Sequence, residues 1–411
     1  MADRHQSRFL DRSTPPHIIT LVLIAGLSAL SMNIFLPSLP NMTTYFQTDY
    51  ALMQLSVSAY LAVNAVLQLF VGPISDRFGR RPVILWGYGL FLLATIGCLL
   101  ATSIEVFLIF RMSQGAIVTG MVLSRAIVRD MVPAAQAASM IGYVTMGMAV
   151  VPMVGPAVGG YLDELFGWQA NFSMLLFLGV AVMALVWADL GETNKRRSTS
   201  MLAQIRDYPE LFRSRRFWGY SLAAAFSSGS FFAFIGGAPY IATEFFGLKP
   251  GVLGVYFGMT AFGYMAGNFI SGRFSTRVGV NRMILFGTLV ILTGMSMSLI
   301  LFLSGAGHPL VFFGFMSFVG IGNGMSLPNA NAGMLSVRPH LAGTASGLGG
   351  AIMISGGAAL SALSGAILSP TSGPFPLIWL IIATAVLAVV TILYIMKVER
   401  STGPLDVEVQ H

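Results

Sequence analysis

Charge is what this 411-residue sequence has least of: Asp, Glu, Lys and Arg make up 9% of it, against roughly a quarter in a soluble domain. So few charges cannot clothe a water-facing surface of this size, and the solvent for most of the chain must be lipid. Cysteine is almost absent. Cys98 stands alone inside an apolar run, which excludes an internal disulfide and any cysteine-based metal or redox pair. The histidines are His5, His17, His308, His340 and His411, all near span ends or termini. No metal site assembles from them, and no cofactor is expected. A P-loop, a His-Glu-x-x-His string and an intramembrane aspartate pair are all missing, which argues against ATP-driven transport and against a membrane-embedded enzyme.

What fills the sequence instead is hydrophobic residues, at 55%. Runs of about 20 apolar residues can each cross a bilayer as a helix. They fall near Ile18–Leu36, Leu52–Gly72, Val83–Ala101, Val106–Leu123, Ala138–Tyr161 and Trp168–Ala188. A second set falls near Phe217–Ile235, Val252–Gly272, Met283–Leu303, Leu310–Leu327, Ala342–Leu368 and Pro376–Ile395. The expected fold is all-α and integral to a membrane: twelve transmembrane helices as two six-helix bundles, residues 1–190 and 217–411, joined by a polar loop at 191–216. The run from Ile18 ends in Phe35-Leu36-Pro37 without a small-residue cleavage site, so it reads as a retained first helix rather than a signal peptide.

The formal charge of +7 raises nucleic acid as a partner, but the basic residues sit in short segments between apolar runs rather than on one face of a domain. Of the 23 Lys and Arg, 21 fall in the termini and alternate loops; Lys249 lies on the other side and Arg111 within a span. By the positive-inside rule those loops and both termini are expected to be cytoplasmic. The joining loop carries Lys195, Arg196, Arg197, Arg206, Arg213, Arg215 and Arg216. It reads as a solvated tether with a weak amphipathic patch (Ile205, Tyr208, Leu211, Phe212) for lipid headgroups.

An internal repeat closes the second and eighth spans. Gly72-Pro-Ile-Ser-Asp76-Arg77-Phe-Gly79-Arg80-Arg81 is echoed by Gly272-Arg-Phe-Ser-Thr276-Arg277-Val-Gly279. Repeated halves with a site between them are a transporter signature. Gly72 is expected to permit a tight helix contact and Gly79 a turn. Asp76 is expected to accept charge-assisted hydrogen bonds from Arg77, Arg125 or Arg129, or to cap a neighbouring helix. The string resembles the cytoplasmic loop motif of the major facilitator superfamily, which implies a latch between helix bundles.

Two further motifs lie inside spans. Arg111-x-x-Gln114-Gly115 places an arginine in the fourth span, and a buried arginine is a functional hypothesis by default. It resembles the fourth-helix motif of drug:proton antiporters, where the arginine helps to control proton or substrate binding. Gly147…Pro152-x-x-Gly155-Pro156-x-x-Gly159-Gly160 in the fifth span sets small residues four apart, a pattern for close helix approach, with prolines that bend the helix. The string resembles the antiporter signature of exporters. With Gln54-Leu55-Ser56, Arg125-Ala-Ile-Val-Arg129-Asp130 and Ala342-Gly343-Thr344-Ala345-Ser346-Gly347, the chain resembles the bicyclomycin/chloramphenicol-resistance (Bcr/CflA) branch of bacterial multidrug exporters. That resemblance implies export of small amphiphilic drugs across the bacterial inner membrane by alternating access and proton antiport.

One departure bears on coupling. Where that branch carries an acid in an Asp-x-Tyr-Leu-Pro string, this chain reads Asn33-Ile34-Phe35-Leu36-Pro37. All sixteen acidic residues are expected in loops, span ends or termini, and asparagine cannot titrate. Three explanations stay open: coupling moved to Asp76 or another boundary acid, a facilitator or anion exchanger centred on Arg111, or an engineered Asp-to-Asn change that mimics the protonated state. The implied substrate cavity is lined by Asn33, Phe35, Arg111, Gln114, Phe231, Phe234, Asn323 and Asn329, with Tyr60, Asn64 and Gln68 on one face of the second helix and Tyr264 and Asn268 as their counterparts. A monomer is expected, and a neutral amphiphile fits a cavity without acids better than a cationic drug.

Overall fold

The structure is a computed structural model, and it describes residues 7–132, 134–194, 209–338, 341–369 and 371–402. These fold into helices in chain order: α1 (Ile18–Asn33), α2 (Leu39–Tyr45), α3 (Tyr50–Phe78), α4 (Arg80–Leu100), α5 (Ile104–Ser113), α6 (Val118–Met131), α7 (Ala134–Phe166) and α8 (Gln169–Asp189). There follow α9 (Arg215–Tyr240), α10 (Pro250–Val278), α11 (Val280–Leu303), α12 (Pro309–Phe313), α13 (Met316–Ser336), α14 (Ala342–Ile367) and α15 (Phe375–Thr402). Helix is the form that apolar chain must take in lipid, because it satisfies every backbone N–H and C=O internally. Among the described residues, 10 helical stretches are long and apolar enough to span a membrane. With α7 and α10 they make twelve long helical passages, as the hydrophobic runs predict.

Several passages are compound. The first breaks after Asn33, where Pro37 opens a 3₁₀ turn at Leu36–Ser38 and Pro40 stands in the first turn of α2. The fourth tightens into a 3₁₀ turn at Gln114–Ile117 between α5 and α6. Such mid-helix turns often mark functional hinges. His17 and His308 are helix caps: their Nδ1 atoms accept from Ile19 N and Leu310 N at 3.3 and 3.2 Å.

The helices overrun the apolar runs at the arginine-bearing ends. The second passage continues through Asp76 and Arg77 to Phe78, and Arg125 and Arg129 lie on the last turns of α6 instead of in a loop. Helix propensity and hydrogen bonding do not stop where hydropathy falls. What stops α3 is Gly79, whose φ of +101° suits glycine. Gly279 does the same after α10, at +90°.

The chain divides into two compact units, Met1–Met201 with Gly247–Gly258, and Leu202–Phe246 with Met259–His411. The Gly247–Gly258 stretch, expected in the second bundle, therefore packs with the first. Its glycines are the reason: a Cβ on Gly254 would strike the Pro156 carbonyl of α7, and one on Gly160 would strike the Pro250 carbonyl.

Within the first unit α1 packs on α6, α7 and α8, and α4 packs on α6 and α8. Within the second, α9 packs on α13, α14 and α15, and α11 packs on α13 and α15. The same five pairings thus recur in each half, so the sequence repeat is also a packing repeat. In lipid such packing rests on close van der Waals contact rather than on burial from water. Glycine supplies it at Gly87, where a Cβ would meet Thr119 and the Ala116 carbonyl, and at Gly159, where it would meet the Ile34 carbonyl.

Candidate functional site

Arg111 is the largest wholly buried side chain, at 0% exposure. It projects from α5, and four passages supply its surroundings. Nε donates to Ser56 O on α3 at 3.1 Å, Nη2 to Ser31 O on α1 at 3.0 Å, and Nη1 to Gln114 Oε1 at 2.7 Å. Gln114 Nε2 donates in turn to Thr95 Oγ1 on α4 at 2.7 Å. The guanidinium carbon lies 4.4 Å from the Phe35 ring centroid and 3.9 Å from that of Tyr60. A guanidinium between two aromatic faces gains cation–π attraction that grows as water is excluded. These partners are neutral: carbonyls, an amide, a serine hydroxyl and two rings. A buried cation so arranged is solvated by dipoles, without the strong neutralising pull of a carboxylate.

The first-unit residues expected around a substrate therefore gather in one place. Phe35, Tyr60, Arg111 and Gln114 are in direct contact, and all are buried. Asn33 Nδ2 turns back to Ala29 O at 2.8 Å on its own helix. Asn64 Nδ2 does likewise to Tyr60 O at 2.8 Å, and Asn268 Nδ2 repeats the bond to Tyr264 O at 2.8 Å in the second unit. Gln68 is half-buried, with Nε2 enclosed and unpartnered.

In the second unit the expected residues are dispersed among several contacts. Asn329 Nδ2 donates to Ser271 Oγ and Met325 O, both at 2.8 Å. Asn323 reaches Ser230 Oγ at 3.5 Å and leaves a buried Oδ1 unpartnered. Phe234 is wholly buried, with Phe231, Phe312 and Phe313 among its neighbours at centroid distances of 6.3–6.5 Å. An aromatic ring gains more from neighbouring ring edges than from an open face. Phe231 is half-buried.

The second site surrounds the Gly79 turn. Arg80 is an ion-pair partner of Asp76, at 2.6 Å, and also reaches Asp130 Oδ2 on α6 through Nε at 3.0 Å. The turn folds the chain back so that the side chain at 80 returns over the last turn of α3, which adds Arg80 to the arginines the sequence suggests for Asp76. Arg77 lies over the Phe78 ring at 5.4 Å, and Arg129 is exposed. Gly72 was expected at a tight helix contact, yet no described atom comes within 4 Å of a Cβ built there.

Glu192, just beyond α8, carries a role that sequence reasoning missed. Its carboxylate accepts from Arg80 N at 2.9 Å and Arg81 N at 3.3 Å, which are orphan donors at the start of α4. Thr193 Oγ1 reaches Asp130 at 3.2 Å and Asn194 Nδ2 reaches Asp76 O at 3.1 Å. Arg81 Nη2 donates to Trp187 O at 3.3 Å. A helix N-terminus favours a carboxylate both by hydrogen bond and by dipole. The polar string after the sixth run was the available signal, but nothing local says which helix it will cap. The second unit has its own acidic clasp, also missed: Glu399 on α15 accepts from Asn281, and from Tyr220 Oη at 2.7 Å. Of the linker, Phe212 stacks on Trp218 at 5.7 Å; Lys195, Arg196, Arg197, Ile205, Arg206 and Tyr208 lie outside the described residues.

The glycine motif of α7 faces two ways. Gly155 lies against Leu30 and Gly159 against Ile34, so this stripe holds α1, whereas Pro156 and Gly160 meet the Pro250–Gly258 stretch. The side-chain surroundings of Gly147 and Pro152 are outside those described. Asp163 lies at a span end, three residues before α7 stops at Phe166, and is buried at 4% exposure.

Comparison with known proteins follows the same lines. The family model described as Major Facilitator Superfamily matches residues 21–362. The "Chloramphenicol resistance protein" of Pseudomonas aeruginosa is 30% identical over 387 residues, 93% of this chain and 91% of that protein. The "Bicyclomycin resistance protein homolog" of Haemophilus influenzae is 29% identical over 368 residues, 88% of this chain and 92% of that one. Among solved structures, a D-xylose-proton symporter superposes with a TM-score of 0.71 at 16% identity, covering 92% of this chain and 97% of the symporter. At that identity the likeness concerns the fold.

Proposed function

Because the chain belongs to the Major Facilitator Superfamily, with relatives of the bicyclomycin- and chloramphenicol-resistance type, we propose that it exports small amphiphilic drugs. On this reading it works by alternating access and proton antiport in the bacterial inner membrane, as a monomer with both termini cytoplasmic. Membership of a transporter superfamily is also the ground for reading it as no enzyme. The observation that carries the proposal is the Arg111 cluster. A guanidinium held by Ser31, Ser56 and Gln114 and sandwiched by Phe35 and Tyr60 is a costly intramembrane charge in a chain related to drug-resistance proteins.

The cluster also speaks to substrate class. A cation ringed by neutral dipoles repels cationic drugs and tolerates neutral or weakly anionic amphiphiles. Chloramphenicol, an uncharged amphiphile, fits. A second reading, facilitated diffusion or anion exchange, draws on the same feature, since Arg111 as a free countercharge would hold an anion. A drug-susceptibility panel tests the proposal in efflux-deficient bacteria expressing the chain beside Arg111→Ala and Asn33→Asp. Protection against neutral amphiphiles that Arg111→Ala abolishes is the expected result. Absence of protection against every compound, or protection confined to lipophilic cations, contradicts it. Protection that is indifferent to collapse of the pH gradient selects the second reading.

A further inference from the structure

We propose that Asp163 is the proton-carrying carboxylate of this chain, set in a buried polar cluster where α7 meets the turn after α1. The inference rests on the export reading above and names the group that would couple it.

The contrast with the other buried acid is instructive. Asp189 is also sealed, but both its oxygens are saturated: Oδ1 accepts from Leu10 N at 2.7 Å, and Oδ2 from His17 N at 2.9 Å and Thr20 Oγ1 at 2.6 Å. Three donors tie this carboxylate to the chain before α1, so it is an anchor. Asp163 is 4% exposed; its Oδ2 accepts from Asn41 Nδ2 at 2.7 Å, and the Ser38 hydroxyl is its other side-chain hydrogen-bonding neighbour. Its Oδ1 is enclosed without a hydrogen-bond partner. Ser38 Oγ lies alongside, already accepting from Asn171 Nδ2 at 2.9 Å. The Oδ1 of Asn171 is a second enclosed atom without a partner, and it is an acceptor. A buried carboxylate with one oxygen enclosed and unpartnered lacks one thing, a proton. Protonated on Oδ1, the group would lose its charge and gain a hydrogen to donate.

Charged neighbours do not change this. On α7 the adjacent acid is Glu164, which pairs with Lys249 at 3.6 Å. The turn Leu36–Ser38, α2 and α8 contribute Ser38, Asn41 and Asn171, none of them ionisable here. Access is short, because α7 ends at Phe166, three residues or about 4.5 Å further along its axis.

The position links the proton to the moving parts. Asp163 is one turn beyond Gly159 and Gly160, which touch the Ile34 carbonyl and the Pro250 carbonyl. The step is simple: a proton leaves water at this end, bonds to Oδ1 and turns the carboxylate into a carboxyl. It later returns to water as the carboxylate reforms. The titrating acid that the first helix lacks at Asn33 would thereby sit on the fifth passage, against the turn that follows Asn33.

Two measurements on the purified chain in proteoliposomes test this. Infrared difference spectra across a pH step should show a protonated-carboxyl band in the parent and in Glu164→Gln that Asp163→Asn lacks. Asn41→Ala, which removes the donor to the ionised form, should move the midpoint of that band to higher pH, by about tenfold in proton affinity. Chloramphenicol added across the same membrane should drive proton movement, read by a trapped pH dye, and Asp163→Asn should reduce it at least about tenfold. Persistence of the band or of the proton movement in Asp163→Asn overturns the proposal, as does an unmoved midpoint in Asn41→Ala. If chloramphenicol drives nothing in the parent, the export reading fails, and the infrared result still decides whether Asp163 takes a proton.

Discussion

Replacing Arg111 by methionine should leave the protein more stable than replacing it by lysine, although lysine keeps the charge. Arg111 makes three close hydrogen bonds, to Ser56 O, Ser31 O and Gln114 Oε1, at 3.1, 3.0 and 2.7 Å. A hydrogen bond to a charged group contributes about 1.5–3 kcal/mol net, so the three amount to about 4.5–9 kcal/mol. Methionine forfeits all of it. It also removes the cost of burying an ion, which is several kcal/mol, and it fills much of the volume between Phe35 and Tyr60. The net loss is then within about 3 kcal/mol. An ammonium retains the burial cost but cannot span three acceptors on separate helices. It also stacks poorly on rings, and it forfeits about two of the three bonds, or about 3–6 kcal/mol. At about 2–4 °C per kcal/mol for a unit of this size, apparent melting temperatures in detergent should separate the two by several degrees. A lysine variant as stable as the parent would refute the dipole-solvated cation.

Other consequences can be checked with the same preparations. Gly159→Val forces a side chain into the Ile34 carbonyl, and backbone cannot yield there; overpacking of about 1–3 kcal/mol should appear as a lower melting temperature. Gly72→Ala, by contrast, meets no described atom within 4 Å and gains about 1 kcal/mol of helix propensity, so it should melt no lower than the parent. Glu192→Ala removes the acceptor of Arg80 N and Arg81 N and should cost about 0.5–2 kcal/mol, read as faster hydrogen exchange at the start of α4. Unchanged exchange there would show that water caps this helix equally well.

The hydrophobic runs located the helical passages because lipid leaves backbone so few options. Their ends were less legible, for the same reason in reverse. An apolar window closes at the first charges, whereas α3 carries on through Asp76 and Arg77 until Gly79 turns it. The same effect carries α7 past its apolar run to Phe166, so that Asp163 falls within its last turns. Arg111 was legible as a cost that demands a reason. Its partners were not, because two of them are carbonyls of Ser31 and Ser56, and carbonyls leave no mark on a sequence. Long-range polar contacts behaved alike. Arg80 on Asp130, and Glu192 at the start of α4, depend on how chain segments far apart come to lie together. The packing of Phe234 among Phe231, Phe312 and Phe313 was equally hidden, since no count of aromatics reveals which rings meet.

The central claim is tested most directly by efflux of preloaded radiolabelled chloramphenicol from whole cells carrying this chain, with Arg111→Met beside it. Movement of label outward from cells, faster under an inward proton gradient and lost in the variant, is the predicted result. Label that equilibrates at the same rate with and without the chain would contradict it.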